Sequence, residues 1–218
     1  MRTNIFLLRH AQSQANMLNI VQGRGLLIPL TEKGAEQARN VAKALKNLMF
    51  DRIFTSTALR AVHTAAAIRK YHPTPYEEIF ELNELSKGNA EGMSIDNFAK
   101  RYPEIIEQWS RGVDVRSDGG ENFSDVEARV IPVLERHLIE HAGKNLLYVI
   151  HGNVIRVIIG YILGVPYGRR ARIQQDYCAL TALEYDNSTK RWLVKFINQA
   201  LFNDWNRGEM LWPRKRRR

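Results

Sequence analysis

A chain of 218 residues, 44% hydrophobic and 25% charged, has the composition of one soluble domain that buries a full core. Its formal charge of +9 resembles a nucleic-acid signal only until Arg214, Lys215, Arg216, Arg217 and Arg218 are set aside; those five leave +4 on the rest, so nucleic acid is not the expected partner. A lone cysteine, Cys178, excludes an internal disulfide, and the four apolar residues ahead of Arg9 are too few for a signal-peptide core or a membrane span, which makes a cytoplasmic protein the expectation.

In chain order, Asn4 to Leu8 reads as a buried strand and Gln22 to Leu30, with Gly23, Gly25 and Pro29, as a loop. Thr31 is placed to cap a helix whose Ala35, Ala38, Val41, Ala42, Leu45 and Leu48 recur at helical spacing. Arg52 to Thr55 is a second strand, Ala58 to Tyr71 a helix stopped by Pro73, and Tyr76 to Leu82 a third extended segment. Ser94 to Gly112 reads as helix interrupted at Pro103, and Asn122 to His141 as a longer helix that Pro132 is expected to kink. A strand from Leu146 to Ile150 precedes a helix from Val154 to Leu163. Two last strands, Ala179 to Tyr185 and Trp192 to Ile197, pair across Asp186-Asn187. The alternation predicts an α/β fold, a three-layer α/β/α sandwich with a mostly parallel central sheet and helices on both faces. A single domain over 1–212 is expected, with a solvated basic tail at 213–218.

The chemistry concentrates where strands end. Arg9 and His10 leave the first strand together, at the carboxyl edge where open α/β sheets place ligands. Arg60 falls in the first helical turn after the second strand, where free backbone N–H groups also favour an anion. A guanidinium binds two phosphate oxygens at once and keeps its charge. Histidine attacks phosphorus as the neutral ring and donates to phosphate as the cation, so His10 and His151, each at a strand end, could divide those roles. Displacing an alkoxide also needs a proton donor, and Glu84, after the third strand, is placed for it. His63, His72, His137 and His141 read as surface or packing residues, and Glu77, Glu78 and Glu81 as a solvated face. Arg24, Lys87, Arg116, Arg169, Arg170 and Arg172 read as solvated charges that could surround the mouth, and Tyr102 and Trp109 as helix-packing aromatics.

These motifs resemble the histidine phosphatase superfamily, the phosphoglycerate mutase-like fold. Arg9-His10-Ala11-Gln12-Ser13-Gln14-Ala15-Asn16 is similar to its signature, with Ala11 in place of the commonest glycine and Gln12 where mutases usually carry glutamate. The blocks from Pro29 to Ala38, Thr55 to Ala65 and His151 to Arg156 follow in the family's order, whereas Asn122 stands where many relatives have serine. The resemblance implies a phosphohistidine mechanism without metal or other cofactor. His10 would be the nucleophile and Glu84 the acid, then the base that activates water. Arg9, Arg60 and His151 would bind the phosphoryl oxygens, joined by Asn16; Gln22 and Gly23 would line the mouth, and Gly152 and Asn153 would lie near the phosphate. Because the segment after Glu84 is short, unlike the longer insertion of mutases, it implies hydrolysis of a small phosphorylated metabolite. Phosphoglycerate mutase-type transfer and a non-catalytic phospho-ligand-binding protein are the alternatives. Family members often pair, which admits a homodimer, and no membrane partner is expected.

Overall fold

The first strand, β1 (Arg2–Arg9), lies in the middle of a six-stranded sheet, between β4 (Asn145–Ile150), to which it is parallel, and β5 (Leu180–Asp186), to which it is antiparallel. Both faces of such a strand are covered, which is why Ile5-Phe6-Leu7-Leu8 is an unbroken apolar run in which Ile5, Leu7 and Leu8 are fully buried. In this computed structural model, which describes residues 1–201, β2 (Arg52–Ser56) and β3 (Tyr76–Ile79) complete the parallel side, and β6 (Arg191–Gln199) closes the antiparallel edge. The strand order is β3-β2-β4-β1-β5-β6. Five strands run in one direction and β5 alone against them, which makes the predicted mostly parallel sheet.

Side chains alternate across the sheet and feed two cores. On one face Ile5, Leu7, Phe54 and Tyr148 pack with residues of α6 (Phe123–Glu140) and α7 (Gly152–Leu163). On the other, Leu8, Ile53, Leu147 and Val149 pack with α2 (Glu32–Leu45) and α3 (Leu59–Arg69). A short helix, α1 (Gln14–Met17), precedes these, and α4 (Ile95–Arg101) and α5 (Pro103–Arg111) cover a smaller core of Val21, Ala90, Phe98 and Ile105.

Local chemistry sets the boundaries. Thr31 accepts the Gly34 N–H at 2.9 Å, and Asn122 and Asp125 form a reciprocal capping box at the start of α6; side-chain caps of this kind are each worth about 1 kcal/mol. Pro103 occupies the first turn of α5, where its missing N–H costs nothing. Pro132 lies inside α6, which runs through it as one element. The extended segment expected over Tyr76 to Leu82 is shorter: pairing with β2 ends at Ile79, and Phe80–Leu82 is a 3-10 turn. That turn carries the chain off the sheet edge, so Glu84 enters from a loop rather than from a strand end. Among the described residues no helix is long and apolar enough to cross a membrane. The tail expected at 213–218 lies outside the described residues.

Candidate active site

Register brings the two histidines together. Arg9 stands opposite Ile150 in the parallel β1–β4 ladder, so the next residues, His10 and His151, leave adjacent strands at one level; the His10 N–H donates to the Ile150 carbonyl at 2.9 Å. Their ring centroids are 5.1 Å apart with planes at 61°. Strand β2 pairs Thr55 with Val149, which sets Ser56 beside the same edge.

Nδ1 of His10 lies 2.7 Å from the carbonyl oxygen of Ala11. A carbonyl only accepts, so Nδ1 carries the proton and the neutral ring keeps its lone pair on Nε2. Burial holds the His10 pKa well below the usual histidine range, and Arg60 and Arg9 push it further down. The ring is therefore neutral and nucleophilic at pH 7. His151 is depressed in the same way, first by burial and then by Arg60, His10 and Arg9. Its Nε2 meets Ser56 Oγ at 2.7 Å, while its Nδ1 is buried with no hydrogen-bond partner among the described residues.

Around this pair the cations are held by backbone. Arg9 donates from Nη1 to the Gln175 carbonyl at 2.7 Å and lies over the Tyr177 ring at 4.2 Å. Arg60 is fully buried and donates to the carbonyls of Gly25 and Gly23 at 2.6 and 3.0 Å, tying down the 22–30 loop. Burial lowers its pKa to about 10, with Glu84 opposing, which leaves it cationic at pH 7. The Nε atoms of Arg9 and Arg60, like His151 Nδ1, are buried with no hydrogen-bond partner among the described residues, a costly state for a donor unless an anion completes it.

A cavity of about 80 Å³ opens here, lined by Arg9, His10, Asn16, Gln22, Gly23, Glu84, Gly152 and Asn153, with Lys87 and Arg156 at its side. Eight of the ten site residues expected from sequence thus share one wall. The other two, Arg60 and His151, are fully buried behind it and act on His10 as its charged and ring neighbours. The Glu84 carboxylate accepts the Leu85 N–H at 2.8 Å and the Asn153 N–H at 3.3 Å, bridging its own loop to the start of α7. Its loop is pinned from α6: Arg129 donates to the carbonyls of Glu81 and Glu84 and pairs with Glu121, which accepts the Ser86 N–H at 2.9 Å.

Three contributors had no role assigned from sequence. Ser56 and Arg156 sit inside motifs whose histidine and arginine drew attention, and the only signal for Ser56 was its place at the end of β2. Lys87, read as a solvated charge, is buried. Arg170 is buried too, paired with Glu127 away from the mouth, because it packs against the small Gly160 of α7. Arg24 and Arg116 are paired with Glu121 and Asp125.

The model of the histidine phosphatase superfamily (branch 1) matches residues 5–199. A 2,3-bisphosphoglycerate-dependent phosphoglycerate mutase of Protochlamydia amoebophila is 32% identical over 203 residues, covering 78% of this chain and 89% of that protein. Among solved structures, a mycobacterial glucosyl-3-phosphoglycerate phosphatase superposes with a TM-score of 0.83 at 22% identity, covering 92% of this chain and 100% of the other. A putative alpha-ribazole-5'-P phosphatase from Escherichia coli superposes with a TM-score of 0.80 at 27% identity, covering 90% and 96%. Since that match runs from β1 to the end of β6 and takes in every strand of the sheet, the chain belongs to branch 1 of the histidine phosphatase superfamily and is an enzyme of that kind.

Proposed function

We propose that the protein hydrolyses phosphomonoesters of small metabolites through a phosphohistidine on His10, without a metal ion. The observation that carries this reading is the contact of His10 Nδ1 with the Ala11 carbonyl, which leaves the Nε2 lone pair as the free nucleophile. Nε2 attacks phosphorus, the P–N bond forms, the ester P–O bond breaks, and the leaving oxygen takes the Glu84 proton. The Glu84 carboxylate then accepts a proton from water as that water attacks phosphorus; the P–N bond breaks and inorganic phosphate leaves.

Charge on the transferring group meets Arg9 at the cavity wall and is balanced from behind it by the buried Arg60 and His151, all fixed before substrate arrives. A neutral imidazole needs no metal to generate it, and guanidinium groups supply the positive charge. Asn16, Gln22, Gly23, Gly152 and Asn153 close the walls.

A second reading, phosphoryl return to a phosphoglycerate, is favoured by the 32% identity to a mutase. Only residues 85–94 separate Glu84 from α4, and so short a segment supports a site open to water, where phosphohistidine is hydrolysed. Rapid-quench labelling with a chromogenic monoester, with and without chelator, is expected to trap phosphate on His10 and release it at a chelator-independent rate. Interconversion of phosphoglycerates faster than phosphate release would establish the mutase reading instead.

A further inference from the structure

Beside the phosphate cavity lies a second one of about 400 Å³, which shares Leu85, Lys87, Asn153 and Arg156 with it and continues along Trp109, Val115 and Phe123. That volume is typical of sites for whole small molecules. Through the shared residues it opens directly beside the phosphate cavity.

Lys87 stands at the junction and is only 8% exposed. Its Nζ lies 4.0 Å from the centroid of the Trp109 ring, and no ion pair joins it to a carboxylate among the described residues. The platform is rigid: Trp109 stacks on Phe98 at 5.6 Å and donates Nε1–H to the Val115 carbonyl at 3.2 Å. An aromatic face repays only part of what an ammonium loses on leaving water.

The neighbouring carboxylates are committed elsewhere. Asp114 accepts the N–H groups of Phe123 and Ser124 at 2.8 and 3.0 Å, Glu91 those of Arg24 and Lys87 at 3.0 and 2.9 Å, and Glu121 is held by Arg24 and Arg129. Arg156 brings a second cation to the junction. Its Nε and Nη1 donate to the Ile173 carbonyl and Asn153 Oδ1 at 2.9 and 3.0 Å, and no hydrogen bond occupies Nη2 among the described residues.

We propose that the larger cavity receives the leaving group and that Lys87, supported by Arg156, selects substrates whose leaving group carries an anionic substituent, a carboxylate or a second phosphate, on a body bulkier than a three-carbon acid. The proposal rests on the hydrolase reading above. The apolar wall of Val115 and Phe123 takes the body, and the buried ammonium takes the charge.

The test compares phenyl phosphate with 3- and 4-carboxyphenyl phosphate and with the 1,3- and 1,4-phenylene bisphosphates. One anionic series is expected to exceed phenyl phosphate by about tenfold or more in kcat/KM, the scale of a charge-assisted hydrogen bond, and the better series identifies the group bound. In Lys87→Met that preference is expected to fall to within about threefold of unity. Phosphate release from phenyl phosphate with no preference in the native enzyme overturns the role of Lys87 and leaves the hydrolase standing; release from none of the esters overturns the hydrolase. Retention of the preference in a folded Lys87→Met moves it to another residue.

If Lys87→Met does not fold, the native enzyme still decides. Burial lowers the Lys87 pKa to about 8, with Glu84, Asp114 and Glu91 opposing and Arg156 assisting, while Glu121 and Arg172 line the same cavity. The preference is therefore expected to decline as pH rises through 8, and a ratio flat from neutral pH to well above that value overturns the proposal.

Discussion

Ser56 Oγ meets His151 Nε2 at 2.7 Å and also accepts the Ala58 N–H at 3.4 Å; when its hydroxyl donates to Nε2 the ring proton is left on Nδ1, the tautomer that the proposed phosphate contact requires. The side chain that ends β2 thereby fixes which nitrogen of His151 can donate into the site. Ser56→Ala removes that constraint without adding bulk. We expect kcat/KM for a chromogenic phosphomonoester to fall by about tenfold, as other orienting partners of catalytic histidines do, with an altered acid limb in the pH profile. A profile and rate identical to the native enzyme would mean that the tautomer is set elsewhere.

Glu84 is held by two backbone N–H groups at the edge of the cavity and is proposed to protonate the leaving oxygen. A nitrophenolate leaves with little help, whereas an alkoxide does not. Glu84→Gln is therefore expected to lose about 100-fold or more in kcat/KM, which reports the phosphorylation of His10 alone, on an alkyl phosphate and under about tenfold on p-nitrophenyl phosphate. Steady-state rates on the two esters decide it; equal losses on both would assign Glu84 to binding instead of proton transfer.

How far the site could be read from sequence depended on whether a residue's position follows from one strand or from the packing of several. Arg9, His10 and His151 were legible because a run of buried apolar residues ends at each, and parallel strands bring such ends to one edge. The helices of 31–45 and 122–140 were legible from caps and spacing. Lys87 was not, since a lysine in a polar loop reads as solvated until α5 lays Trp109 over it, a contact between residues with no local pattern in common. The same holds for Ser56 and Arg156, whose partners belong to other elements. The shortened β3 was hidden because Phe80 and Leu82 continue the apolar alternation after the ladder with β2 has ended.

Gly23 has φ of +46°, and a Cβ there would lie 2.0 Å from Oε1 of Glu91, the oxygen that accepts the N–H groups of Arg24 and Lys87. Its carbonyl also receives Arg60. Gly23→Ala must move either the backbone or Glu91, so it is expected to cost about 1–3 kcal/mol in chemical unfolding and to raise KM as Arg60 loses an anchor. Native stability with native KM would show that the loop does not position Arg60.

Acid sensitivity follows from neutral buried histidines. Burial holds His10 and His151 well below their ordinary value of 6.5, and it lowers His137, stacked on Phe54 at 4.0 Å, to about 4. In the unfolded chain these rings protonate near pH 6.5, before the folded ones do, so the unfolded state binds more protons throughout the interval below. Their contribution to stability is complete above 6.5 and is lost progressively as pH falls from 6.5 towards 4. Thermal unfolding is expected to show a Tm that declines across that interval. Saturating inorganic phosphate should slow the decline, because an anion in the cavity favours protonated His151. A Tm that stays level between pH 7 and 5 without phosphate would show that these rings are not held neutral, and would remove the basis for His10 as a nucleophile ready at neutral pH.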